Sequence, residues 1–151
     1  MINSTHAAQY AQSAPSTAST EHTETIVAIA TAAGRGGVGV IRASGSQATI
    51  QTLIEQICKR TLSPRHAHYG AFIDTDGQTI DHGIALYFPA PHSYTGEDVI
   101  ELSVHGGTAM ADGLLEALIT AGCAPAGPGE FTRRALENGR MSLTQAEAVM
   151  E

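Results

Sequence analysis

The segment EDVIELSVHG, residues 97–106, carries a carboxylate in an unusual place. Read as a strand, it alternates: Asp98, Ile100, Leu102 and Val104 face one way, and Glu97, Val99, Glu101, Ser103 and His105 the other. Glu101 therefore sits in mid-strand among apolar neighbours, where burial is costly without a partner. Spacing alone leaves two readings evenly matched. Glu101 is either an exposed carboxylate on a solvated sheet face, or one that waits for a ligand with paired N–H donors. A second candidate is GRGGVGVIR, residues 34–42, in which Gly34, Gly36 and Gly39 match the G-x-G-x-x-G spacing of a dinucleotide-binding loop. That loop needs a helix after its glycines, because the pyrophosphate rests on the helix N-terminus. Here the β-branched run VGVIR follows, so the required context fails and the glycines read as a tight connection between two strands. A phosphate-binding P-loop fares worse, since Lys59 is the one lysine of the chain.

Weaker constellations receive bland readings. His66 and His68 would share a strand face as two metal ligands could, but no third ligand is evident and a half-exposed polar face is favoured. Asp81 and His82 are strand neighbours and point to opposite sides, which argues against a dyad. Cys58 and Cys123 have no metal-ligand spacing and read as free thiols, Cys58 on the apolar face of a helix. No catalytic residue and no metal site is assigned.

These residues require a scaffold of strands and two main amphipathic helices. TIVAIATAA and GVGVIRAS are β-branched strands, and SGSQATIQTLIEQICK switches to helical period, with Ile50, Leu53, Ile54, Ile57 and Cys58 on one face and Ser44 or Ser46 as N-cap. HAHYGAFID and DHGIALYFPA form a hairpin across TDGQ. A helix over about 108–121 turns Met110, Leu114, Ala117, Leu118 and Ala121 inward, CAPAGP is a short edge strand, GEFTRRALENG a short helix, and LTQAEAVME the start of another. The pattern predicts an α+β fold with a mixed sheet. Residues 1–23, rich in Ser, Thr, Ala and Gln and lacking Lys and Arg, read as a disordered tail. Residues 24–139 read as one domain, and 140–151 as the beginning of a further helical one.

The 151 residues suit one core, and the apolar fraction of 42% with 15% charged residues suits a soluble globular protein. No apolar run reaches the roughly 20 residues of a membrane helix. The absence of a secretory or transit signal leads to a cytoplasmic expectation. The formal charge of −7 argues against a surface built throughout to neutralise phosphates, and no Lys or Arg lies between His66 and Thr132.

ETIVAIATAAGRGGVGVIRASG, ALYFPAPHSYTGEDVIELSVHGG and PGEFTRRALENGRMSLTQAEAVME, taken in order, resemble the N-terminal part of the MnmE (TrmE) family of tRNA-modification GTPases. The resemblance covers about residues 24–151. It implies a homodimeric α+β domain similar to half of the tetrahydrofolate-binding unit of glycine-cleavage T-proteins. A folate, 5-formyl- or 5,10-methylene-tetrahydrofolate, would bind near the dimer interface. It further implies that the intact protein, with an FAD/NADH-dependent flavoprotein partner, modifies carbon 5 of the wobble uridine of tRNA. GTP, potassium and magnesium would belong to a GTPase domain outside this chain, so the fragment is not expected to be catalytic alone. Three folate contacts carry over: Arg42 closing GVGVIR, Glu101 of GEDVIE, and Arg140 after LENG, where many relatives have lysine. Relatives also often have proline where Ala32 and Ala33 stand. A pterin offers a 2-amino group beside a ring N–H, which a carboxylate such as Glu101 can accept in bidentate fashion. An arginine suits the carboxylates of the folate tail. A T-protein-like one-carbon transferase, and a dimerisation module without a working folate site, are the alternatives.

Overall fold

The computed structural model describes residues 24–31 and 37–149. The 1–23 tail, together with Gly34 and Gly36 of the glycine motif, lies outside the described residues. Six strands form one mixed sheet in the order β3-β4-β5-β2-β1-β6. They are β1 (Ile26–Ile29), β2 (Gly39–Gly45), β3 (His68–Ile73), β4 (Thr79–Phe88), β5 (Asp98–Val104) and β6 (Ala124–Pro125). All neighbours pair antiparallel except β1 and β6, which run parallel. The α+β expectation with a mixed sheet is met. A strand begins at Gly39, where a dinucleotide loop would need its helix.

Alternation divides the sheet into two faces. Ile41, Ala43, Ile100, Leu102 and Val104 are buried against α1 (Gln47–Leu53) and α2 (Thr108–Thr120), and form the core with Ile50, Leu53, Leu114 and Leu118. Ser46 caps α1, its Oγ accepting from the Thr49 amide. The five apolar positions read at helical spacing are all buried. After Leu53, however, the helix widens into a π-helical turn over Ile54–Cys58, and it stops at Lys59 in the left-handed conformation (φ 53°).

The start of α2 is fastened from β4. Gly107 (φ 79°) is its N-cap and offers no side chain. Asp81 instead accepts from the amides of His105 at 2.9 Å and Gly106 at 3.0 Å, and from that of His82, which hold its carboxyl below the usual carboxylate range. This contact answers the Asp81–His82 pairing: the carboxylate binds backbone.

The second sheet face carries Arg42, Ser44, Val99 and Glu101. Over one end of it lie the 89–97 loop and α3 (Glu130–Glu137), followed by α4 (Leu143–Val149). The start of α4 is a capping box: the Ser142 amide donates to Gln145 Oε1 at 2.8 Å, and the Gln145 amide to Ser142 Oγ at 3.2 Å. Among the described residues no helix is long and apolar enough to cross a membrane.

Candidate functional site

Arg42 and Glu101 face each other directly across β2 and β5. The antiparallel register alone brings these two residues, 59 positions apart, side by side on one face. Both Nε and Nη2 of Arg42 donate to the same oxygen, Glu101 Oε1, at 3.0 and 2.9 Å. Oε2 accepts nothing from a described residue. The two side chains retain about a quarter of their exposure, 25% for Arg42 and 24% for Glu101. Neither reading of Glu101 from spacing was complete, because its first partner is an arginine supplied by another strand. A carboxylate offers about four lone-pair positions, so two remain for an incoming pair of donors.

Rings frame this pair. The Arg42 guanidinium lies 5.0 Å from the centroid of Tyr94 and 5.8 Å from that of Phe131, a cation–π arrangement that fixes the planar group. Tyr94 comes from the 89–97 loop and Phe131 from the first turn of α3. Their mutual placement is secured by the Tyr94 hydroxyl, 2.8 Å from Thr132 Oγ1. Leu86 of β4 is the other cross-strand neighbour of Glu101 and is half-buried, as is Val40 further along β2. The site thus combines a fixed carboxylate, a fixed guanidinium, two aromatic rings and an apolar floor.

The loop that delivers Tyr94 is held by polar contacts of low exposure. Ser44 Oγ donates to Glu97 Oε1 at 2.8 Å and lies 2.7 Å from Thr95 Oγ1, while the Glu97 amide donates to Thr95 Oγ1 at 3.2 Å. Arg134, only 4% exposed, donates from Nη1 to the same Glu97 oxygen at 3.0 Å. Its Nη2 lies 3.4 Å from Glu130 Oε1, and its Nε has no partner among the described residues. Asn138 Nδ2 donates to the Thr95 carbonyl at 2.8 Å. At the loop base Asp98 accepts from the Ala90 amide at 2.8 Å and from the Tyr87 hydroxyl. Burial, and after it that bond, push the Tyr87 phenol up to about 12.

Arg140 belongs to this neighbourhood by way of the loop. Its Nε donates to the Ser93 carbonyl at 3.1 Å, one residue from Tyr94. The structure therefore brings Arg42 and Glu101 into direct contact, and sets Arg140 on the backbone of the loop that covers them. Sequence reasoning missed Arg134, Glu97, Ser44, Tyr94 and Phe131. The available signal was the pair of adjacent arginines Arg133 and Arg134, which a helix sets about 100° apart, so that both cannot lie at the centre of its solvent face; the buried stripe takes in Thr132, Arg134 and Ala135.

A cleft of about 360 Å³ opens near the loop base, lined by Gly45, Ser46, Gln47, Pro89, Ala90, Glu97 and Asp98. It shares none of its lining with Arg42, Glu101 or Arg140, and none of its lining residues is aromatic. Among the described residues no group of three His, Cys, Asp or Glu is placed to hold a metal ion. His66 lies before β3 rather than on it, so the two histidines do not share a strand face. His68 Nε2 accepts from the Ser63 amide at 2.9 Å, which removes it as a free ligand.

The family described as "GTP-binding protein TrmE N-terminus" matches residues 25–140, nearly the whole described chain. The chain belongs to this family. TrmE relatives include proteins named "tRNA modification GTPase MnmE" from Pseudomonas putida KT2440, 55% identical over 121 residues, and from Pseudomonas syringae pv. syringae B728a, 56% identical over 121 residues. One from Methylibium petroleiphilum PM1 is 50% identical over 135 residues. Each alignment takes in 80% of this chain, but only 26% of the two Pseudomonas proteins and 28% of the third. The chain spans about a quarter of the length of these relatives.

Proposed function

We propose that this TrmE-type domain binds a reduced folate on the Arg42–Glu101 face and forms a homodimer, as one part of a tRNA-modification GTPase. The observation that carries the reading is the carboxylate of Glu101, anchored through one oxygen by Arg42 and open at the other, beside the Tyr94 and Phe131 rings. A pterin is flat, apolar on its faces and lined on one edge by adjacent N–H donors, and these three properties match the floor, the rings and the open oxygen. Arg42 orients the carboxylate and keeps a cation beside it. Arg140, on the Ser93 carbonyl through Nε alone, keeps its Nη groups for an anion such as the carboxylates of a folate tail. The chain's own residues thus bind and orient, and the bound 5-formyl- or 5,10-methylene-tetrahydrofolate would supply a one-carbon unit. In the same proposal the intact protein works in the cytoplasm with an FAD/NADH-dependent flavoprotein on carbon 5 of the wobble uridine. GTP, potassium and magnesium act in a separate GTPase domain.

Calorimetric titration with 5-formyl-tetrahydrofolate tests the reading. A charge-assisted hydrogen bond contributes on the order of 1.5–3 kcal/mol, so Glu101→Ala should weaken binding roughly ten- to a hundredfold. Saturable binding near one ligand per chain that survives Glu101→Ala unchanged would remove Glu101 from the site. No binding to a folded dimer would favour the dimerisation module without a folate site.

A further inference from the structure

Three cations gather in the segment that leads into edge strand β3. Lys59, Arg60 and Arg65 lie within seven residues of sequence, in the connection from the π-helical turn to edge strand β3. None of the three pairs with a carboxylate of a described residue, whereas Arg42, Arg133 and Arg134 all do. Unpaired clustering of this kind stands out in a chain of net charge −7. The cluster is also held in shape. Lys59 (φ 53°) and Arg65 (φ 55°) are the two non-glycine residues with positive φ among those described, a conformation that persists only where the surrounding structure imposes it. The Arg65 amide donates to the Tyr87 carbonyl at 2.8 Å, and Arg60 Nη1 to the Tyr69 carbonyl at 3.2 Å. Arg60 Nη2 lies 3.1 Å from His68 Nδ1, and the His66 and His68 rings meet edge to face at 5.1 Å. Beside them Tyr69 is 66% exposed and stacks on His82 at 6.4 Å.

We propose that Lys59, Arg60 and Arg65, with the exposed Tyr69, form an RNA-binding patch. The cations take the phosphate backbone and the ring takes an unstacked base. The inference rests on the tRNA-modification reading given above, and assigns part of the substrate contact to this domain. Cations released from carboxylate pairing neutralise phosphates. An exposed ring beside such cations is what single-stranded loops and ends of RNA engage by stacking. The patch is separate from the Arg42–Glu101 face in the sheet: Glu101 lies on β5 and Arg42 on β2, two and three strands inward from β3.

Fluorescence anisotropy of the 151-residue chain with an unmodified tRNA transcript, from 50 to 200 mM KCl, is the test. Three phosphate contacts give a log–log salt slope of about −2 to −3. Lys59→Gln/Arg65→Gln, whose side chains make no hydrogen bond or ion pair to a described residue, should cut the slope by about 1.5–2 and the low-salt affinity roughly tenfold or more. Arg133→Gln is the charge control and should change nothing. Tyr69→Ala should weaken binding to tRNA while leaving any binding to double-stranded DNA unaltered. Absence of binding at up to about 0.1 mM protein, against the roughly 0.1 mM to 1 µM range of non-specific sites, would overturn the proposal. So would a slope unchanged in Lys59→Gln/Arg65→Gln, or equal binding of tRNA and double-stranded DNA that ignores Tyr69→Ala. The two readings fail separately: Lys59→Gln/Arg65→Gln leaves the 5-formyl-tetrahydrofolate titration as it is in the natural chain, and Glu101→Ala leaves the tRNA titration as it is.

Discussion

Removal of the Glu97 carboxylate should unfold the support of the candidate site at a cost that can be worked from its contacts. Glu97 accepts from Arg134 Nη1 at 3.0 Å and from Ser44 Oγ at 2.8 Å, and the Arg134 side chain is 4% exposed. In Glu97→Ala the guanidinium stays in place with Glu130 at 3.4 Å as its remaining acceptor, and its Nε is already without a partner among the described residues. Breaking a buried pair from one side costs about 3–5 kcal/mol, and the surviving Glu130 contact places this case near the lower end, about 3 kcal/mol. With a urea m-value of about 1–3 kcal/mol/M, the unfolding midpoint should fall by roughly 1–3 M at unchanged m. Glu97→Gln keeps an acceptor for Ser44 and should lose about half as much. Glu97→Ala/Arg134→Met removes the stranded charge and should recover part of the loss, so the two substitutions are not additive. A cost below about 1 kcal/mol for Glu97→Ala, or strict additivity in the double variant, would refute the claim that this ion pair holds the 89–97 loop.

Other outcomes follow from the same geometry. A Cβ at position 83 would meet the Ser103 carbonyl oxygen at 1.7 Å, so Gly83→Ala should destabilise by at least about 2 kcal/mol in the same urea assay. Arg133, 59% exposed and 3.7–3.9 Å from Glu137 and Glu130, should tolerate Ala at a cost of less than about 1 kcal/mol. Burial pushes both the Cys58 and Cys123 thiols up to about 11 from 9.0. A raised folded-state value adds stability that is complete below the unfolded value and lost above it, so stability should decline between about pH 9 and 11. The same burial should leave both thiols unalkylated by iodoacetamide at pH 8 until urea unfolds the chain.

The elements were largely legible because their periodicity is local. Ile50, Leu53, Ile54, Ile57 and Cys58 announced a helix face, and the alternation of Asp98–Val104 announced the two sides of β5. What lay hidden was decided by contacts far apart in sequence. Arg42 meets Glu101 only through the β2–β5 register, and Arg134 meets Glu97 only once α3 has folded back over the sheet. The widening of α1 into a π-helical turn has no local signature, and β3 begins at His68 because residues 59–67 are spent on the turn that carries Lys59 and Arg65. The capping box at Ser142 and Gln145 was visible in principle as S-x-x-Q before an Ala-rich run.

The most direct test of the folate reading is an NMR titration of the ¹⁵N-labelled chain with 5-formyl-tetrahydrofolate, following the Arg42 side-chain Nε–H and the backbone amides. The proposed site predicts shifts centred on Arg42 Nε–H, on residues 99–103 of β5 and on Tyr94–Glu97, saturating together at one ligand per chain. Shifts confined to the cleft lined by Gly45, Gln47 and Pro89, or none at all on saturation with ligand, would contradict it.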